Sequence, residues 1–399
     1  MNTQLVSERL HIGFFGCRNA GKSSLVNAVT GQEVSVVSNV LGTTTDPVTK
    51  TMEILPLGPV VVIDTPGFDD CGTLGEKRIE RTKKILEKTD IAVLVCDAQS
   101  GMNDVDRTLL KIFSEKGVSC IVAYNKADLC PQKKPEKDNE IYVSALCGTN
   151  IYELKEKIGH IRPDLVPQKN IVDGIVKKGD TVILVTPIDE AAPKGRLILP
   201  QQNVLRGVLD IGAAALTLQP DMLQNALGIL NKKPDLVITD SQAFKEVSQI
   251  VPQDIPLTSF SIVMARYKGF LETAVKGVGE LSRLNDGDKI LIAEGCTHHR
   301  QCNDIGSVKL PRLIRAFSKK QLEFDITAGH DFPDELSKYR LVIHCGGCMI
   351  TEREVCARRQ RAAAQGIPFT NYGTALAYLN KILERSLSVF PDVQRLIKN

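Results

Sequence analysis

The chain has 399 residues, 43% of them hydrophobic, which is too many for one ordinary core and predicts two or three domains. A net charge of +3, no tryptophan and 5% aromatics argue against a nucleic-acid surface built on basic patches or stacking rings. The opening MNTQLVSERLHIGFFG has no basic stretch ahead of a long apolar run, and no apolar segment approaches the ~18–20 residues that cross a bilayer. No signal peptide, no membrane span and a cytoplasmic location are therefore expected.

HIGFFG reads as a strand, followed by a Gly-rich turn and a helix from Lys22 into NAVTG. Short apolar strands follow at VVVID, IAVLVCD, CIVAYNKAD and IYVSA, with helical segments such as EKRIERTKKILEK between them. Alternation of this kind predicts a parallel sheet covered by helices. The helix YELKEKIGH closes this first domain, expected over residues 1–165. A linker, IRPDLVPQKNIVDGIVKKGD, leads into a second α/β unit over 166–262. It carries the helices NVLRGVLDIG and MLQNALGIL and the strands AALTLQP and DLVITDSQAF, but no phosphate loop and no cluster of His, Cys or carboxylates. A dimerising scaffold is the expectation for it.

The third part, 263–399, opens on a helix, ARYKGFLETAVKGVGEL. The strand KILIAEG runs into Cys296, LEFDITAG into His330 and LVIH into Cys345. A helix TEREVCARRQRAAAQ follows Cys348, and a last helix covers GTALAYLNKILERSL. The expected class is α/β: a P-loop domain with a parallel sheet, followed by two further α/β domains. No internal repeat is visible. The basic groups Arg312–Lys320 and Arg353–Arg361 read as solvated helix faces.

Gly16-Cys-Arg-Asn-Ala-Gly21-Lys22-Ser23 fits GxxxxGK(S/T) between a strand and a helix. Backbone N–H groups of such a loop surround phosphates, Lys22 reaches the β- and γ-phosphates, and the Ser23 hydroxyl binds Mg2+. Gly16, Asn19, Ala20, Gly21, Lys22, Ser23 and Ser24 are the expected phosphate set. Asp64-Thr-Pro-Gly67 ends VVVID, where the carboxylate holds the Mg2+ shell and the Gly67 N–H meets the γ-phosphate. Asn125-Lys126-Ala-Asp128 ends a later strand, and Asp128 accepts the N1–H and N2–H2 donors of guanine, a pair adenine does not offer. Ser144-Ala145 lets the backbone approach the base. Thr44, in the switch segment Gly42–Asp46, is the expected Mg2+ ligand in the GTP state. Lys22, Thr44 and Gly67 are the residues expected to act in hydrolysis of GTP to GDP.

These motifs resemble the translation-factor-like small G proteins, especially the TrmE/Era branch. The resemblance implies that Asn19 helps hold a K+ ion beside the phosphates. Phe68 stands where Ras-like proteins carry a water-orienting Gln, so intrinsic hydrolysis is expected to be slow and K+-stimulated.

The chain has 11 cysteines, expected as thiols in a reducing compartment. Cys17, Cys71, Cys96, Cys120, Cys130 and Cys147 show no ligand-like spacing and read as core or incidental. Cys296-Thr-His298 and His344-Cys345-Gly-Gly-Cys348 do show a pattern. Three thiolates and one other ligand complete a zinc site or hold a [4Fe–4S] cluster by three corners, and spacing leaves both open.

CxH followed by HCxxC behind a TrmE-like domain resembles the HydF family of [FeFe]-hydrogenase maturation GTPases, as does the stretch TPIDEAAPKGRLILPQQ. The resemblance covers the whole chain. It implies a homodimeric [4Fe–4S] scaffold that carries a diiron precursor to apo-[FeFe]-hydrogenase, with two radical-SAM maturases as further partners. It implies Cys296, Cys345 and Cys348 as thiolate ligands, and it gives His298 and His344, which match the family's histidines, as further candidate ligands of the metal. Glu294 offers an exchangeable carboxylate, while His299, His330, Cys302 and Cys356 lie outside the motif. The alternative is a zinc-containing GTPase of tRNA modification or ribosome assembly.

Overall fold

The strands of the first unit are β1 (Leu10–Phe15), β2 (Val48–Ile54), β3 (Gly58–Asp64), β4 (Ile91–Asp97), β5 (Ser119–Asn125) and β6 (Glu140–Tyr142). They form one sheet in the order β2-β3-β1-β4-β5-β6. The structure, a computed structural model, describes residues 9–31, 48–55, 57–67, 82–161, 170–187, 197–295 and 304–397. Thr44, Phe68, Cys71, Cys296, His298, His299 and Cys302 lie outside them. The chain divides into two compact units, Met1–Pro167 and Gln168–Asn399.

β-branched residues line β3 and β4, which fits strands covered on both faces. In β4 the side chains split by parity. Ile91, Val93 and Val95 join the core with Ile12, Phe14 and Leu25, while Ala92, Leu94 and Cys96 join the opposite core with Phe15 and Phe113. β2 is the one antiparallel strand of the sheet, paired with β3 from Val48↔Asp64 to Ile54↔Gly58. The sequence reading missed it because its side chains alternate in exposure and supply no apolar run.

The second unit holds two four-stranded sheets. The first contains β7 (Thr181–Val185), β8 (Ala214–Leu218), β9 (Leu236–Thr239) and β10 (Leu257–Ser259), ordered β10-β9-β7-β8. The second contains β11 (Lys289–Ala293), β12 (Glu323–Thr327), β13 (Leu341–His344) and β14 (Phe369–Asn371), ordered β12-β11-β13-β14. All pairs in both are parallel. In each, the first strand lies between the second and the third, so one topology occurs twice where the sequence shows no repeat. The helix Phe260–Tyr267 follows β10 directly, and its Phe260 and Ile262–Ala265 are buried in a hydrophobic cluster common to both sheets.

Two expected helices are each broken in two. ARYKGFLETAVKGVGEL becomes the end of Phe260–Tyr267 and then Leu271–Val278, parted at Gly269 with φ +74°. The last helix becomes Tyr372–Leu379 and Leu383–Ser386, parted at Lys381 with φ +59°. A left-handed residue ends a helix whatever the propensity around it. Among the described residues no helix is long and apolar enough to cross a membrane.

Candidate functional site

The loop after β1 delivers the chain into the helix Lys22–Thr30 through Gly21, whose φ is +83°. A Cβ there would collide with the Asn125 amide, so only glycine lets this loop close on the C-terminal end of β5. Lys22 is buried, and its Nζ donates to the Cys17 carbonyl at 2.8 Å. A Cβ on Gly67 would lie 3.1 Å from the same Nζ and 3.0 Å from Arg18 Cα. The ammonium thus sits between the loop and the Asp64–Gly67 turn, where the β- and γ-phosphates of a nucleotide belong. Ser23 Oγ donates to Asp64 Oδ2 at 2.7 Å, which brings together the two groups expected around Mg2+. Asn19 is exposed with φ +63°, Ala20 and Gly16 are buried, and Ser24 is half-buried on the helix.

The base end is tied to the phosphate end by one side chain. Asn125 Nδ2 donates to Ala20 O at 3.0 Å, and its Oδ1 accepts from Ala145 N at 3.0 Å. Asp128 is exposed, and its Oδ1 accepts from the buried Ser144 hydroxyl at 2.6 Å. That bond fixes one oxygen of an exposed carboxylate at the end of β5. Lys126, with φ +65°, pairs with Asp97 Oδ2 at 2.5 Å. Burial pushes the Asp97 carboxyl up, but Lys126 and the Gln99 N–H outweigh it and hold it below the usual range. Asp97 was not singled out in the sequence, although it ends the strand IAVLVCD as Asn125 ends β5.

The cysteine site lies at the other sheet's reversal of strand order. β11 is flanked by β12 and β13, and in such sheets ligands bind at the carboxyl ends of the strands where the order reverses. Ala293 of β11 pairs with His344 of β13, so Glu294-Gly295 and Cys345 leave adjacent strands side by side. Gly295 N donates to Cys345 Sγ at 3.0 Å, and Gly347 N does so at 3.3 Å. Gly347 has φ +68°, the left-handed turn that brings its N–H back onto the sulfur.

Burial raises the Cys345 thiol above its ordinary range, with the two N–H donors and Arg358 pulling the other way. Burial also pushes Cys348 up to about 12, opposed by Lys268. Lys268 is 4% exposed and donates to Ile350 O at 3.0 Å. The buried Glu294 accepts from Tyr372 Oη at 3.1 Å. Two thiols with N–H···S donors, flanked by two buried cations, fit a soft, anionic bound group. Among the described residues no three His, Cys, Asp or Glu side chains converge at metal-ligand distance. Cys296 and His298 lie outside them, immediately after Gly295.

His344 is fully buried, and both of its ring nitrogens meet protein atoms: Nδ1 the Cys345 carbonyl at 2.7 Å, Nε2 the Arg358 Nη1 at 3.2 Å. Burial, then Arg358, depress its pKa to about 3. His330 Nδ1 lies 3.0 Å from both Glu354 oxygens. Cys356 sits on the helix Glu352–Ala364, with its sulfur 3.5 Å from Arg359 Nη2. Arg358 corrects the expectation of a solvated basic face, because it is 1% exposed.

Residues 272–389 match the model of the hydrogen maturase F tetramerization domain, and 171–269 match the hydrogen maturase F dimerization domain. Residues 11–126 match the 50S ribosome-binding GTPase model. The chain is 39% identical over 165 residues to GTPase Der of Wolinella succinogenes, covering 37% of this chain and 35% of that protein. It is 33% identical over 156 residues to the tRNA modification GTPase MnmE of Nitrosomonas europaea, covering 38% and 34%. The chain thus spans about a third of the length of these curated relatives. Among solved structures, Era of Aquifex aeolicus bound to GDP·AlF4− aligns at 21% identity and TM-score 0.33, covering 52% of this chain and 93% of that one. The G domain of the T. maritima FeoB iron transporter aligns at 26% identity and TM-score 0.29, covering 38% and 96%.

Proposed function

Because the chain belongs to the hydrogen maturase F family, we propose that it is a GTP-hydrolysing scaffold that binds a [4Fe–4S] cluster and assembles or delivers the diiron subcluster to apo-[FeFe]-hydrogenase. One observation carries the cluster half of this reading. The Cys345 sulfur, held by the Gly295 and Gly347 N–H groups, stands where β11 and β13 separate, next to the strand end that leads into Cys296. Cys296, Cys345 and Cys348 are the thiolate ligands in this reading, with His298 or Glu294 at the exchangeable place. When bound, the cluster supplies an iron with a coordination position open to exchange. The chain's own residues stabilise its negative charge through N–H···S bonds and through the buried Lys268 and Arg358.

In the nucleotide half, Lys22 and the Gly67 N–H hold the γ-phosphate, Ser23, Asp64 and Thr44 hold Mg2+, and Asp128 selects guanine. Asn19 places K+ beside the phosphates, and hydrolysis is slow. The GTP-binding function belongs to residues 1–165, dimerisation to 166–262 and the cluster to 263–399. The working form is a cytoplasmic homodimer whose partners are the two radical-SAM maturases and apo-hydrogenase.

The two C-terminal family matches favour this reading over a zinc-containing GTPase of tRNA modification or ribosome assembly. Anaerobic reconstitution with iron and sulfide, followed by EPR of the reduced protein, tests it. About four irons per chain and a reduced-cluster signal are expected. A stoichiometric zinc with no EPR signal would overturn it. Lys22→Ala is expected to abolish GTP hydrolysis while leaving iron content unchanged.

A further inference from the structure

The helix Glu352–Ala364 starts just after the cysteine loop and turns Arg358 inward, where it is among the largest fully buried side chains of the protein. A buried guanidinium is costly unless its N–H groups find acceptors. Nη2 donates to Gly329 O at 2.6 Å and to Glu354 Oε1 at 2.7 Å, and the cation lies 5.3 Å from the centre of the Phe332 ring. Nη1 lies 3.2 Å from His344 Nε2. A guanidinium has no lone pair to offer, so in this contact Nε2 must accept. The imidazole proton is then on Nδ1, which donates to the Cys345 carbonyl at 2.7 Å. Phe369, stacked at 5.7 Å, and Phe270, edge-on at 6.2 Å, complete the slot around the ring.

We propose that Arg358 is a positioning residue for the cysteine site, acting through His344. It fixes the Nδ1–H tautomer, so that the imidazole braces the peptide carrying the Cys345 sulfur and takes no part in the ligand set. The exchangeable place then falls to a group other than His344. Glu354 completes the device by compensating Arg358, with the exposed His330 on its other face. Outer groups that orient a ligand in this way are a general requirement of metal sites. The inference rests on the cluster reading above, but its first consequence does not.

Two measurements test it. In the metal-free chain, 15N NMR of the imidazoles at neutral pH is expected to show His344 as the Nδ1–H tautomer, and Arg358→Met to collapse it to a mixture. In the reconstituted chain, His344→Asn, which keeps a donor near the Nδ1 position, is expected to retain wild-type iron content and the wild-type nitrogen couplings in pulsed EPR. Arg358→Met is expected to lower iron content at least threefold, and Arg358→Lys to fall between. A His344 found as the Nε2–H tautomer overturns the proposal. So does a strong imidazole coupling that vanishes in His344→Asn. If the wild type takes up no cluster, the cluster reading fails instead, and the tautomer result still decides whether Arg358 sets His344.

Discussion

Cys17 Sγ lies 3.6 Å from Asp106 Oδ1, across 89 residues of sequence. Asp106 is 2% exposed, and its other oxygen accepts from Asn103 N at 3.2 Å to complete a capping box on the helix Asp104–Glu115. The same carboxylate therefore starts a helix and anchors the phosphate loop. Asp106→Ala keeps the Asn103 cap but removes the reciprocal bond of the capping box, and is expected to destabilise the first unit by about 1 kcal/mol, the usual net worth of one hydrogen bond. It is also expected to weaken GTP binding severalfold. Urea denaturation and fluorescent-nucleotide titration measure the two effects, and a variant identical to wild type in both would dissolve the link.

Asp128→Asn replaces one acceptor oxygen with a donor. GTP affinity is expected to fall by at least tenfold, while affinity for xanthosine nucleotides, which present a complementary acceptor, rises. Normal GTP turnover by the variant would reject Asp128 as the base-reading group.

Hydrolysis is expected to run faster in K+ than in Na+ at equal ionic strength, and Asn19→Ala to remove the difference. The motive is the exposed, left-handed Asn19 in the P-loop. Equal rates in the two salts would remove K+ from the mechanism.

The half-buried thiol of Cys348 gives a pH signature in the metal-free chain. With Cys348 raised to about 12 from an ordinary 9.0, the unfolded state loses its proton first. Stability from this group is fully present below about pH 9 and is lost as pH rises toward about 12. At pH 8 the thiolate is about one part in ten thousand, so iodoacetamide should label the exposed Cys147 well before Cys348. Mass spectrometry after timed quenching reads the order, and early labelling of Cys348 would contradict its raised pKa.

What was legible in the sequence was what local chemistry fixes. A phosphate loop needs its glycines at set intervals, so Gly16 to Ser23 could be read without a neighbour in view. β2 could not, because an edge strand with one covered face carries little apolar signal. Arg358 was misread through its company. It stands in a run of arginines, yet it shares the buried stripe of its helix with Val355 and Ala362. That helical spacing was present in the sequence and would have placed it inward. The Cys17–Asp106 and Gly295–Cys345 contacts depend on strand order, which no local pattern specifies.

One hydrophobic cluster runs through both four-stranded sheets of the unit 168–399, so the two are expected to unfold as one block. Phe260 and Ile262–Ala265 belong to neither sheet alone, so cutting the chain between 267 and 271 would leave two fragments, each with an apolar face bare to water. The part that matches the dimerization-domain model and the part that carries Cys345 and Cys348 are therefore not expected to behave as separate modules. They are expected to melt together, and hydrogen exchange in one is expected to report on events in the other.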